Sequence, residues 1–199
     1  MPELLAIVAT LLTATFLIPQ IARLLSRGDT AGLSAVWAGF GVVTNLAWIG
    51  YVGAQDLWVA AIAPALAVVS YSITLALIVH RSPGIGWWRS SFWYSASLVT
   101  AEALMGPAGL GLLLAMTPAV QLMPGVIAAY GTRRPTGVAP ATWVIAAAEA
   151  FLWGGYGWLV ADLPLIGYGL ITVVGSGLIL ARCWATRSGV GFARPLVEV

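Results

Sequence analysis

From residue 4 to residue 184 the chain is a series of apolar runs, broken only at short polar joints. The runs cover 4–25, 34–52, 57–80, 88–105, 107–130, 140–160 and 164–184. Each is close to the ~20 residues that a helix needs to cross ~30 Å of hydrocarbon. None alternates with period two and none is strand-length, which excludes a membrane barrel in favour of helices. Composition agrees. Charged residues make up 8% of the 199 and hydrophobic ones 60%, whereas a soluble domain carries about 25% charged residues. Mean hydropathy is +0.95. The expectation is an all-α integral membrane protein with seven transmembrane helices. The run at 88–105 is the most polar, with Ser90, Ser91, Ser95 and Ser97, and whether it spans completely is left open.

Charge orients these spans. All nine basic side chains are arginines. Arg23 and Arg27 follow the first span, Arg81 and Arg89 the third, Arg133 and Arg134 the fifth, and Arg182, Arg187 and Arg194 the seventh. The opposite joints carry Glu3, Asp56, Glu102 and Asp162. The excess of arginine on cytoplasmic loops places the N-terminus outside and the C-terminus in the cytoplasm. That requires an odd number of crossings, so the run at 88–105 is counted as one. Arginine without lysine, with heavy use of Ala and Gly, points to a GC-rich coding sequence and so to a bacterial plasma membrane. The first run is too long for a cleaved signal peptide and lacks a basic start, so it is expected to remain as a helix.

An internal repeat organises the spans. Pro19, Gly32, Trp48 and Tyr51 recur as Pro124, Gly137, Trp153 and Tyr156 at one ungapped offset of 105 (124 − 19, 137 − 32, 153 − 48, 156 − 51). A three-helix unit ends on the face opposite its start, so a fused second copy would be inverted. One extra crossing restores the direction. The expected plan is a first triple-helix repeat at 1–85, a linker helix at 86–105, and a second repeat with a short cytoplasmic tail at 106–199. Parallel repeats about an axis along the membrane normal place a solute site between them near the midplane.

The residues also carry a resemblance. Phe16-Leu17-Ile18-Pro19-Gln20, Arg23, Thr30-Ala31-Gly32-Leu33-Ser34 and Trp48-Ile49-Gly50-Tyr51 resemble the first repeat of the SWEET/SemiSWEET, or PQ-loop, transporter superfamily. Pro124-Gly125, Thr136-Gly137-Val138 and Trp153-Gly154-Gly155-Tyr156 are similar but degenerate, with Gly125 where the glutamine stands in the first copy. The three-plus-one-plus-three layout matches as well. The resemblance implies a facilitative, sugar-type uniporter or a proton-coupled carrier, working by alternating access without a cofactor. It implies hinge or gate roles for Pro19, Gln20, Pro124, Pro140, Tyr51 and Tyr156, and solute contacts for Trp48 and Trp153. Ala35 replaces the hinge proline that Pro140 supplies in the second copy. Sugar carriers of this kind place an asparagine on the third helix of each repeat. Those positions fall near Pro64 and Gly169, and Asn45 is the only asparagine in the chain.

The residues themselves support part of this. A proline inside a helix removes one hydrogen bond and kinks it, so Pro19 and Pro124 suit matching hinges. Most of the ten tryptophans suit interfacial anchors, but Trp48 and Trp153 lie well inside their spans. Glu149 lies near the middle of the sixth span, where an ionisable group costs roughly 2.5–3.5 kcal/mol. Helical spacing puts Glu149, Trp153 and Tyr156 on one face, and the matching face of the second span carries Thr44 or Asn45 with Trp48 and Tyr51. Glu149 is therefore expected at a substrate or proton site, with a neutral, helix-packing role as the alternative.

Other chemistry is thin. His80 has no catalytic partner, no nucleophile stands beside a base, and no metal-ligand cluster or nucleic-acid motif is present. Cys183 is alone. Gly50/Gly53 and Gly167/Gly169 suit close helix packing. Three functions of different classes follow: a small-solute carrier of a sugar or amino-acid-like solute, a ligand-binding sorting receptor of the same plan, and a membrane enzyme, disfavoured by the missing constellation. The expected partners are the solute, protons and the bilayer, without nucleic acid; a homo-oligomer is compatible with all of these.

Overall fold

A computed structural model describes residues 2–56, 58–83 and 86–187. Leu57, the expected repeat boundary at 85, and the tail 188–199 with Arg194 lie outside the described residues. The elements are α1 (Pro2–Thr15), α2 (Ile18–Arg27), α3 (Ala35–Ala54), a 3₁₀ turn (Trp58–Ala61), α4 (Ile62–Arg81), α5 (Trp87–Gly131), α6 (Pro140–Val160) and α7 (Leu163–Arg187). No strand occurs among the described residues. With α1 and α2 taken as one unit, six helices are long and apolar enough to cross a membrane. Their outward faces stay bare: Leu104, Phe151, Trp158 and Leu163 are between 73% and 79% exposed. Large apolar side chains in such number face hydrocarbon, since water would penalise each one. The chain is an integral membrane protein.

The helix limits follow from particular residues. α1 gives way to α2 at Phe16 and Leu17, because Pro19 lacks the N–H that would bond back to the Thr15 carbonyl. α4 begins at Ile62, five residues later than the apolar run, so that Pro64 falls in its first turn, where a missing N–H costs nothing. Pro140 occupies the same kind of position at the start of α6. Pro124 does not end its helix: 107–131 runs on through Pro118 and Pro124 without leaving helical angles, whereas Pro19 stands at the start of a new helix.

α5 is two helices, 87–105 and 107–131, joined at Gly106, whose φ of 63° and ψ of −163° are non-helical. The join reverses the chain. Tyr94 and Leu98 share one buried cluster with Leu110 and Leu114, although 20 residues (114 − 94) would lie ~30 Å apart on a straight helix. A side chain on Gly109 would meet Met105 and come within 3.1 Å of the Ala101 carbonyl oxygen.

Two ends are thereby defined. At one, the loop after α2 meets the loop before α6, where Gly137 N–H donates to the Ala31 carbonyl at 2.9 Å. Thr30 and Ser82 join there through their hydroxyls at 2.7 Å. Arg23 donates to the Thr136 carbonyl at 2.7 Å, and Arg182 to those of Ala129 and Thr132 at 3.3 and 3.0 Å. Arginines thus crowd one end. At the other, the Tyr51 hydroxyl donates to Asp162 at 3.2 Å. The offset of 105 extends into backbone and ring geometry. α3 starts at 35 and α6 at 140. The left-handed residues that follow them are Asp56 (φ 57°) and Ala161 (φ 56°). Trp48 meets Tyr51 edge-on at 5.6 Å and 81°, and Trp153 meets Tyr156 at 5.7 Å and 88°.

Candidate functional site

A central cavity lies between the two sets of helices. Its walls come from α1, α3 and α4 on one side and from 107–131, α6 and α7 on the other. Nine aromatic side chains line it, and among the described residues it carries two carboxyls, Glu149 and Asp162, with no arginine or histidine. An aromatic pocket with a few convergent polar groups is the usual form of a small-molecule site.

Glu149 lies on α6, 4% exposed. Its Oε1 is 2.8 Å from the Thr13 hydroxyl on α1, and the Tyr168 hydroxyl on α7 donates to the carboxyl, 3.1 Å from Oε1 and 3.0 Å from Oε2. Thr13 also stands 2.9 Å from the Ala9 carbonyl oxygen, and it accepts from Trp153 Nε1–H at 3.2 Å. A hydroxyl has one proton, so Thr13 donates either to Glu149 or to its own helix. Three helices and the Trp153 indole are therefore tied to one carboxyl. Trp48 faces the same Tyr168 ring edge-on at 6.0 Å.

The matching position in the first copy holds Thr44 (149 − 105). Its hydroxyl bonds to the Tyr94 hydroxyl at 2.7 Å. The helix 87–105 thus fills, with a neutral hydroxyl cluster, the place where the other copy carries the carboxyl.

The arginine-rich end of the cavity is closed. Trp37 and Trp143 meet at 5.4 Å, and Tyr71 packs edge-on against both Trp37 and Phe16. Below them the fully buried Gln20 donates through Nε2 to the Gly137 carbonyl at 3.0 Å and accepts from Ala139 N–H at 2.9 Å. One amide so binds α2 to the backbone that leads into α6. Gly125, the residue that replaces the glutamine in the second copy, has no side chain to make such a tie and lies beside the Trp37 indole, which a side chain there would touch at an ordinary 3.4 Å. Asp29 adds a weaker tie at the surface. The Thr136 hydroxyl, and after it the Ala31 N–H at 2.9 Å, hold its carboxyl below the ordinary carboxylate range.

The structure brings Trp48, Trp153, Asn45, Glu149, Pro64, Tyr51 and Tyr156 to the cavity wall. Asn45 spends its Nδ2 on the Gly41 carbonyl at 2.8 Å. Gly169 faces elsewhere: a side chain on it would strike Gly154 and the Ala150 carbonyl, so it is the close contact between α6 and α7. Gly167 sits similarly against Ala115, whereas nothing approaches Gly50. Thr13, Tyr168, Trp37 and Trp143 complete the site without any sequence signal at the repeat offset. Thr13 is one of three threonines in the first apolar run, with Thr10 and Thr15, so nothing in the sequence singles it out.

Fold and site together define a helical membrane protein with an aromatic, carboxyl-bearing cavity closed at its arginine-rich end. Comparison with family models, curated proteins and solved structures gave no match.

Proposed function

We propose that this chain is a small-solute carrier working by alternating access, built as seven crossings in a 3+1+3 order. The first repeat is 1–85, the linker 86–105 and the second repeat 106–199. The arginine-rich end faces the cytoplasm by the positive-inside rule. The observation that carries the reading is the cavity shared by the two halves and closed at one end by the Gln20 clasp and the Trp37–Trp143 pair. A carrier needs a central site and closures that open in turn. At the far end, one hydrogen bond from Tyr51 to Asp162 is a small closure of that kind. The resemblance to SWEET and PQ-loop carriers agrees with this and implies sugar-type uniport. A second reading, coupling to protons or a cationic solute, is favoured by Glu149, which no cationic side chain meets among the described cavity residues.

Counterflow in proteoliposomes, with labelled solutes chasing an internal excess of the same compound, tests the carrier. Gln20→Met should leave the Gly137 carbonyl and Ala139 N–H without their partner and loosen the cytoplasmic closure. In a Cys183→Ser background, Thr142→Cys should then react faster with a thiol reagent added on that side. Unchanged reactivity would remove Gln20 from the gate. Absence of counterflow for every solute that binds would remove the carrier.

A further inference from the structure

The cavity holds more chemistry than a neutral solute needs, and the parts are unequally placed. Glu149 stands at mid-height, and its two oxygens offer about four acceptor positions. Thr13 and Tyr168 fill at most two of them. Among the described residues no arginine or histidine lines the cavity to meet the remaining charge. A buried carboxylate needs a cation or further donors. The edges and faces of Trp48, Trp153 and Tyr168 surround the same region, and aromatic faces attract ligand cations.

Unpartnered buried polar atoms line the cavity too: Trp48 Nε1 and Thr172 Oγ1 are among them, and three more gather at the closed end. Thr142 Oγ1 and the indole N–H groups of Trp37 and Trp143 are buried, line the cavity and have no hydrogen-bond partner. They are 1%, 2% and 4% exposed. Buried donors left in this state are rare and ask for an acceptor. Thr142 precedes Glu149 by seven residues on α6 (149 − 142), a rise of ~10 Å, so acceptor and donors belong to one short ligand. These donors are neutral. A solute carboxylate placed there would be buried without a counter-charge, which is costly, whereas a hydroxyl would be satisfied.

We propose that the cavity takes a small amino alcohol, with its ammonium group on Glu149 between the aromatic rings and its hydroxyl on Thr142, Trp37 and Trp143. This deepens the carrier reading by naming the solute class, and it rests on that reading only in treating the cavity as the solute site.

The test uses the full chain in lipid nanodiscs and three matched compounds: 4-amino-1-butanol, the neutral 1,4-butanediol and the zwitterion 4-aminobutyrate. Tryptophan-fluorescence titration at pH 7 should show the amino alcohol binding at least ten-fold more tightly than either of the others. Glu149→Gln should abolish its advantage over the diol. The comparison within the wild-type protein stands even where the variant fails to fold. Diol or zwitterion binding as tightly as the amino alcohol, or no amino alcohol binding at all, would overturn the proposal. Counterflow on the same preparation separates the two readings. Tight amino alcohol binding without exchange keeps the cation site and removes the carrier. Exchange of the diol or a sugar, without amino alcohol binding, keeps the carrier and removes the amino alcohol.

Discussion

Thr13 carries more of the site than any sequence pattern indicates. It is the shared partner of Glu149 and Trp153, and valine has nearly its shape. Thr13→Val should orphan the Trp153 N–H and remove one of the two hydroxyl donors to Glu149, at about 1–3 kcal/mol, seen as a lower unfolding midpoint in detergent. Thr10→Val is the control, because Thr10 bonds only to the Ala6 carbonyl of its own helix, at 2.7 Å; its midpoint should stay put. Equal midpoints for the two variants would show that the cluster around Glu149 is not coupled. Asp29 gives a residue-scale statement about pH. Its folded pKa lies below its ordinary 3.8, through the Thr136 hydroxyl first and the Ala31 N–H second. A depressed carboxyl contributes stability that is present above the unfolded value and is lost as pH falls through the folded one. The tie between the two loops should therefore be intact at neutral pH and weaken only below 3.8. Thr136→Val should flatten that acid dependence; a pH–stability profile of the two proteins checks it.

The element that decides the path of the chain is α5. Gly106 adopts angles that are essentially restricted to glycine, and a misfit there costs of order 1–3 kcal/mol. A side chain at Gly106 would meet nothing within 4 Å, so the penalty for Gly106→Ala is purely one of backbone. Gly50 has equally open surroundings but lies inside α3. Gly106→Ala should lower stability by about 1–3 kcal/mol, while Gly50→Ala should be tolerated. Similar unfolding curves for both would mean that the reversal at Gly106 does not depend on glycine. The two prolines at the repeat offset teach a related lesson. Pro19 separates two helices, and Pro124 sits in an unbroken one. After Pro19, Gln20 fastens α2 to the loop before α6, whereas Gly125 after Pro124 has no side chain to do so.

Across the whole molecule, the loops 28–34 and 132–139 lie together at the arginine-rich end, and the Tyr51–Asp162 bond marks the other. Helices leading to each end in the two copies run the same way. Cysteine labelling in a Cys183→Ser background should find Gln55→Cys reactive from outside the cell and Arg133→Cys protected. Outside labelling of Arg133→Cys would invert the orientation inferred from charge.

Hydropathy and run length alone determined that the chain is helical and lives in the bilayer, because solvent and span length act on every residue in a run. The offset of 105 also announced matched Trp–Tyr pairs, since side chains three apart on a helix share a face wherever the helix packs. Glu149 stood out for the same local reason: a carboxyl deep in an apolar run is conspicuous without any neighbour. What surrounds it was decided only in three dimensions. Thr13 and Tyr168 reach one carboxyl from α1 and α7, and Trp153 of α6 joins them through Thr13. Their meeting depends on helix rotation and crossing, set by contacts such as Gly169 on Gly154 that have no periodic signature. The inequality of the two copies arose in the same way. Gln20 could be seen in the sequence, but its grip on Gly137 and Ala139 spans more than 115 residues of chain (137 − 20, 139 − 20), and only the packed helices bring those groups within hydrogen-bonding distance.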